Sequence, residues 1–75
     1  MLKLPPVTAR QIIRALRKAG FVEDRQKGSH LVLLHPSSGA RTVVPIHGGK
    51  VLKKWLAHAI LKDARLTVEE FMKLL

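Results

Sequence analysis

From Thr8 onward the apolar positions recur with a helical period. Ile12, Ile13, Leu16 and Ala19 fall on one face, and Arg10, Arg14 and Arg17 fall on the opposite one. Thr8 and Gln11 have capping-box spacing, and Val7 with Ile12 has the spacing of a hydrophobic staple. Gly20 follows as a stop. These positions predict a first helix that begins at Thr8 and ends before Gly20.

The pattern then changes to short apolar runs separated by turn residues. Phe21 to Arg25 reads as a first strand that ends at Lys27-Gly28, and Ser29 to His35 reads as a second. Pro36-Ser37-Ser38-Gly39 is a turn, and Arg41 to Ile46 is a third strand whose Pro45 suits an edge or a strand end. Gly48-Gly49 breaks the pattern before a second helix, predicted from Lys50 to about Asp63, with Leu52, Trp55, Leu56, Ala59 and Ile60 as its buried stripe. A last, short helix starts at Thr67. There Thr67 and Glu70 repeat the capping box, and Leu66 with Phe71 repeats the staple. Consecutive strands with short links pair as an antiparallel meander with helices on one face, an α+β fold. Neither a repeat nor a linker nor a low-complexity tract interrupts it, so residues 1–75 are expected to form one domain.

Charge changes this picture more than any other bulk property. Fourteen Lys and Arg face five Asp and Glu, for a net charge of +9 and a pI near 11.1. In so small a chain that balance points to a polyanion, and nucleic acid is the first candidate. There are no cysteines to form a disulfide framework or a thiolate metal site. The longest apolar stretch, Leu31 to Leu34, falls far short of the ~20 residues that span a bilayer. The opening MLKLPPVTAR lacks the apolar stretch of a signal peptide, so a cytoplasmic location is expected.

The candidate chemistry centres on Arg25-Gln26-Lys27-Gly28-Ser29-His30. Two cations, a turn glycine, a hydroxyl and an imidazole meet there where one strand passes into the next. RNA can be cut without a metal because its own 2′-hydroxyl attacks the adjacent phosphate. That attack needs a base for the hydroxyl proton and cations for the phosphorane. Histidine exchanges a proton near neutral pH, which suits it to the first task. Lys27 and Arg25 suit the second. The competing reading is a half-buried strand histidine beside a tight turn.

Elsewhere, Arg10, Arg14 and Arg17 form a stripe that suits a phosphate backbone or an ordinary solvated face. Lys50, Lys53 and Lys54 gather at the expected start of the second helix, where cations oppose the helix dipole and an anion would be held. Trp55 lies in the apolar stripe and is expected in the core, stacking on a base being its other use. His30 and His35 differ by an odd number and so face opposite ways on a regular strand. With no cysteine and few carboxylates, no metal site or cofactor is expected.

Read in order, Lys27-Gly28-Ser29-His30, Val44-Pro45-Ile46-His47, Lys50, Leu52-Lys53, Ile60-Leu61-Lys62 and Leu66-Thr67-Val68-Glu69-Glu70-Phe71 resemble the HicA (YcfA-like) toxin family. Leu4-Pro5 and the run from Ile12 to Gly20-Phe21 fit as well, so the resemblance covers nearly the whole chain. The family implies a double-stranded-RNA-binding-domain-like fold, with a helix, a three-stranded antiparallel sheet and a helix packed across it. It also implies a ribosome-independent mRNA interferase, the toxin of a type II toxin-antitoxin system, silenced by a HicB-type antitoxin; with the metal-free chemistry above, the expected activity is that of a metal-independent endoribonuclease. Its catalytic histidine maps to His30, and Gly28 and Ser29 match the motif as shapers of the turn. Two positions depart from the pattern. Trp55-Leu56-Ala57 stands where a Gly-Thr-Leu-like stretch is common, which favours an earlier or more continuous second helix. Arg65 stands where a helix-ending glycine is usual.

Three functions are compatible with these residues. The first is an RNA-cleaving toxin in which His30 is general base or acid, with Ser29, His35 and His47 as candidates for a second catalytic group. The second is a non-catalytic RNA-binding module of the same fold. The third is an interaction protein whose charge docks an acidic partner.

Overall fold

A computed structural model describes residues 3–47 and 49–75. Its elements run α1 (Ala9–Lys18), β1 (Val22–Lys27), β2 (His30–Leu34), β3 (Arg41–Pro45), α2 (Lys54–Asp63) and α3 (Val68–Leu74). The strands form one antiparallel sheet in the order β1-β2-β3. The expected α+β order of helix, meander and two helices is therefore the observed one.

Both predicted capping boxes are present. Thr8 Oγ1 accepts from the Gln11 N–H at 3.2 Å, and Gln11 Oε1 accepts from the Thr8 N–H at 2.8 Å. Thr67 and Glu70 make the same exchange at 3.0 and 2.9 Å. Each box occupies N–H groups that a helix start leaves unpaired. The C-terminal ends of α1 and α2 also match each other. The N–H of Phe21 donates to the carbonyl of Leu16 and that of Gly20 to Arg17. Leu66 and Arg65 repeat this onto Leu61 and Lys62. This motif needs a left-handed residue just past the helix. Gly20 serves at φ 106°, but α2 uses Arg65 at φ 61°. The Arg65 side chain is held there by donating from Nη1 to the Ser38 carbonyl at 3.1 Å.

The core lies between the inner sheet face and the helices. Ile12, Leu16, Leu33, Val44, Ile60 and Phe71 are each no more than 2% exposed. The one buried polar side chain, among the described residues, is Thr42, whose hydroxyl donates to the Ile60 carbonyl. Leu31, Leu33, Thr42 and Val44 point inward, so strand alternation sends His30, Val32, Leu34, Arg41, Val43 and Pro45 to the other side. On that side Val32 and Pro45 are buried, whereas His30, Arg41 and Val43 are exposed.

α2 departs from its prediction at both its start and its phase. Residues 50–53 are not helical. Val51 bridges to Thr8, and the Leu52 N–H donates to the Val7 carbonyl at 2.8 Å, which ties this stretch to the N-terminal segment and delays the helix to Lys54. Its inward face is Ala57, Ile60, Leu61 and Ala64. Trp55 sits ~200° around the helix from Ala57 and is 66% exposed, so it is not a core residue. Residues 55–61, WLAHAIL, are apolar on nearly every side of a helix, so their pattern leaves the phase open.

His35 is a structural residue. Its Nδ1 accepts from the Ser38 N–H at 3.1 Å, and its Nε2 then carries the proton it donates to the Ala19 carbonyl at 3.1 Å. The ring meets Phe21 edge-on, with centroids 5.1 Å apart. It also fills the space over Gly20, where an added Cβ would come within 2.9 Å of Nε2.

Gly20→Ala is therefore expected to lower stability by about 1–3 kcal/mol, through both its φ and this contact. His35→Ala is expected to cost a similar amount, whereas His30→Ala at an exposed strand end should stay within about 0.5 kcal/mol of wild type. Thermal unfolding of the three variants checks all of these. At the last helix, the Thr67 backbone and hydroxyl hold the Glu70 carboxyl below its ordinary 4.5. A depressed carboxyl contributes stability above its unfolded pKa and loses it as pH falls through the folded one. The melting-temperature gap between wild type and Glu70→Ala should therefore be full at neutral pH and shrink as pH is lowered below 4.5.

Candidate nucleic-acid interface

The segment from Arg25 to His30 folds as a tight hairpin. Lys27 pairs with His30 across a two-residue loop, Gly28-Ser29, in which only Gly28 has positive φ, at 58°. This is the pattern of a type II′ turn, whose twist suits the flanking strands. Gln26 braces the loop by donating from Nε2 to the Gly28 carbonyl at 3.1 Å, and the Ile46 N–H donates to the Ser29 carbonyl at 2.6 Å, tying the loop to the end of β3. The His30 side chain is left exposed at the start of β2, not half-buried.

A bulge in β1 decides which side chains join it. Phe21 is 3% exposed and faces the core. Regular alternation counted from Phe21 would send Glu23, Arg25 and Lys27 inward as well. The register instead slips between Glu23 and Arg25, with Asp24 as the extra residue. Beyond it, Arg25 pairs with Val32 and Lys27 with His30, so both cations share the outer face with the imidazole.

Next to that face lies a depression of about 590 Å³ between β3 and the approach to α2. His30, His47, Lys50, Lys53, Trp55 and Val43 are among its walls, and no carboxylate lines it. α2 opens here without a side-chain cap at Lys53. Thus His30, Lys50 and Lys53, distant in sequence, border one space, and His47 joins them.

The remaining candidates lie elsewhere. Arg10, Arg14 and Arg17 line a separate cleft of about 340 Å³ with Glu23, Gln26 and Leu31, on the inner side of β1. Arg17 is ion-paired there with Glu23. Lys54 borders a third, smaller hollow with Leu4, Pro5 and Pro6. Arg10, Arg14, Arg17 and Lys54 therefore line hollows other than the one that His30 borders. Of the candidates for a second titratable group, His35 has both ring nitrogens engaged, while His47 shares the depression with His30. Sequence reasoning missed the exposure of Trp55. The signal available was its departure from the family's usual residues at that point. No group of three or more His, Cys, Asp or Glu stands together among the described residues. No described helix is long and apolar enough to cross a membrane.

No curated protein matches the chain. The family described as the HicA toxin of bacterial toxin-antitoxin systems matches residues 9–66, a span from the first residue of α1 to just beyond α2 that includes the hairpin, the bulge and the residues that line the depression. The chain belongs to the HicA toxin family, one half of a toxin-antitoxin pair.

Proposed function

We propose that this chain is a type II toxin that cuts mRNA as a metal-independent endoribonuclease, with His30 as its catalytic residue. The observation that carries the reading is the exposed His30 imidazole, beside Lys27 and at the edge of a depression bordered by His47, Lys50 and Lys53 without a carboxylate. RNA supplies its own nucleophile. The 2′-oxygen bonds to phosphorus, the bond from phosphorus to the 5′-oxygen breaks, a base takes the 2′-hydroxyl proton, and the departing 5′-oxygen gains one. The products are a 2′,3′-cyclic phosphate and a 5′-hydroxyl.

His30 handles one of these protons, as base or acid. Lys27 and Arg25, on the same sheet face, stabilise the charge that grows on the phosphorane. Gly28 and Ser29 set the turn that presents them. Lys50 and Lys53 hold phosphates flanking the cut, and Arg10, Arg14 and Arg17, with Lys54, engage RNA that passes beyond the depression. The chemistry requires no divalent ion, and lysines around the site would repel one. A HicB-type antitoxin is the silencing partner, and the charge of +9 favours an acidic surface on it. The substrate places the activity in the cytoplasm.

The experiment is cleavage of RNA by purified wild type and His30→Ala, with EDTA present. Wild type should cut and leave cyclic-phosphate ends. His30→Ala should lose activity by ~10²–10⁴-fold while keeping most of its RNA affinity, which should fall steeply with salt. Undiminished cutting by His30→Ala would remove His30 from the mechanism. Salt-sensitive binding without cleavage by wild type would make the chain a binding module.

A further inference from the structure

Trp55 does not belong to the core, and the cations alone do not explain it. It stands in the first turn of α2, 66% exposed, on the side of the helix opposite the buried Ala57, Ile60 and Leu61. Leaving an indole in water forgoes the largest apolar payload a side chain can bury. Here the indole borders the same depression as His30, His47, Lys50 and Lys53. That space, about 590 Å³, is of the size that holds a small organic group. An aromatic face set among phosphate-binding cations is the arrangement by which proteins hold unpaired nucleic-acid strands, each base stacking while its phosphates meet Lys or Arg. In an A-form duplex the base faces are already stacked on one another and are closed to an indole.

We propose that Trp55 is the stacking platform for an unpaired nucleobase next to the scissile phosphate. The inference rests on the RNA-cleaving reading and adds to it a positioning residue. The base lies on the indole, its flanking phosphates meet Lys50 and Lys53, and the sugar-phosphate link is brought to His30. In a double helix the same link would arrive without a base for Trp55.

Trp55 is the chain's one tryptophan, so its emission reports on this contact alone. The probe is a short single-stranded oligoribonucleotide with 2′-fluoro substitution throughout, which lacks the nucleophile and cannot be cut. Titrated into wild type at fixed salt, it should quench the indole to saturation, and a blunt duplex of the same sequence should not. Measured with a labelled strand, Trp55→Ala should bind roughly 5- to 150-fold more weakly, and Trp55→Phe should recover most of the loss. Circular dichroism checks that the variants keep their fold. Unchanged emission on binding, or equal affinity of wild type and Trp55→Ala for the strand, overturns the proposal. So does a Trp55→Ala variant that keeps its RNA affinity but no longer binds its antitoxin, since the indole would then be a protein-docking residue. The probe is uncleavable, so absence of ribonuclease activity in the wild type would remove the catalytic reading and leave this binding result to stand or fall by itself.

Discussion

Three short strands and three short helices carry enough apolar side chains to cover one face of a sheet fully and the other only in part. A chain of this length buries a modest share of its surface. Its large buried residues (Ile12, Leu16, Leu33, Val44, Ile60, Leu61 and Phe71) are all spent on the single layer between sheet and helices. The outer face of the sheet is covered only in part: Val32 and Pro45 on it are buried, and His30, Arg41 and Val43 are exposed. The candidate site occupies this face. His30 opens β2 at the exposed hairpin, and the bulge in β1 with the pairing beyond it brings Lys27 and Arg25 to the same side. The depression forms where this face meets the strap leading into α2.

The parts of the fold legible in the sequence are those whose ends carry their own chemistry. Thr8 with Gln11 and Thr67 with Glu70 mark helix starts because their side chains satisfy backbone groups within three residues, a purely local interaction. Gly20 and the Gly28-Ser29 loop are legible for a similar reason, since both require backbone angles that glycine adopts freely. The start of α2 is not local. It depends on a hydrogen bond from Leu52 to Val7, more than forty positions away, which no pattern near Lys50 reveals. The rotation of α2 is hidden as well, because a helix apolar on most sides is oriented by whatever packs against it. Trp55 was misplaced by that ambiguity and by nothing else. The site was legible as a motif, His30 with its neighbouring cations, but not as a space. That Lys50 and His47 border it while Arg10, Arg14 and Arg17 do not is a result of the chain's path in three dimensions.

The histidines show how one residue type divides into separate tasks. His35 is fixed by two hydrogen bonds and an aromatic neighbour, and its tautomer follows from its partners. His30 is exposed, and its ring makes no hydrogen bond among the described residues. The difference lies in position along β2, since one residue opens the strand at an exposed turn and the other follows it beneath the end of α1. A structural histidine close in sequence to a free one is thus a source of misassignment that burial and hydrogen bonding resolve.

The bulge at Asp24 has a consequence for how this segment tolerates change. Phe21 must face inward and Lys27 outward, and six positions separate them, an even number that an unbroken strand cannot reconcile. What matters between those two anchors is therefore the number of residues. Asp24 itself makes only a loose ion pair with Arg41, at 3.7 Å between exposed side chains, so many residues can stand in its place. Removing it forces a choice between the core and the cationic face. In a set of relatives, variation here should show as free exchange of residue identity within a stretch of constant length, a signature that a search for invariant residues would pass over.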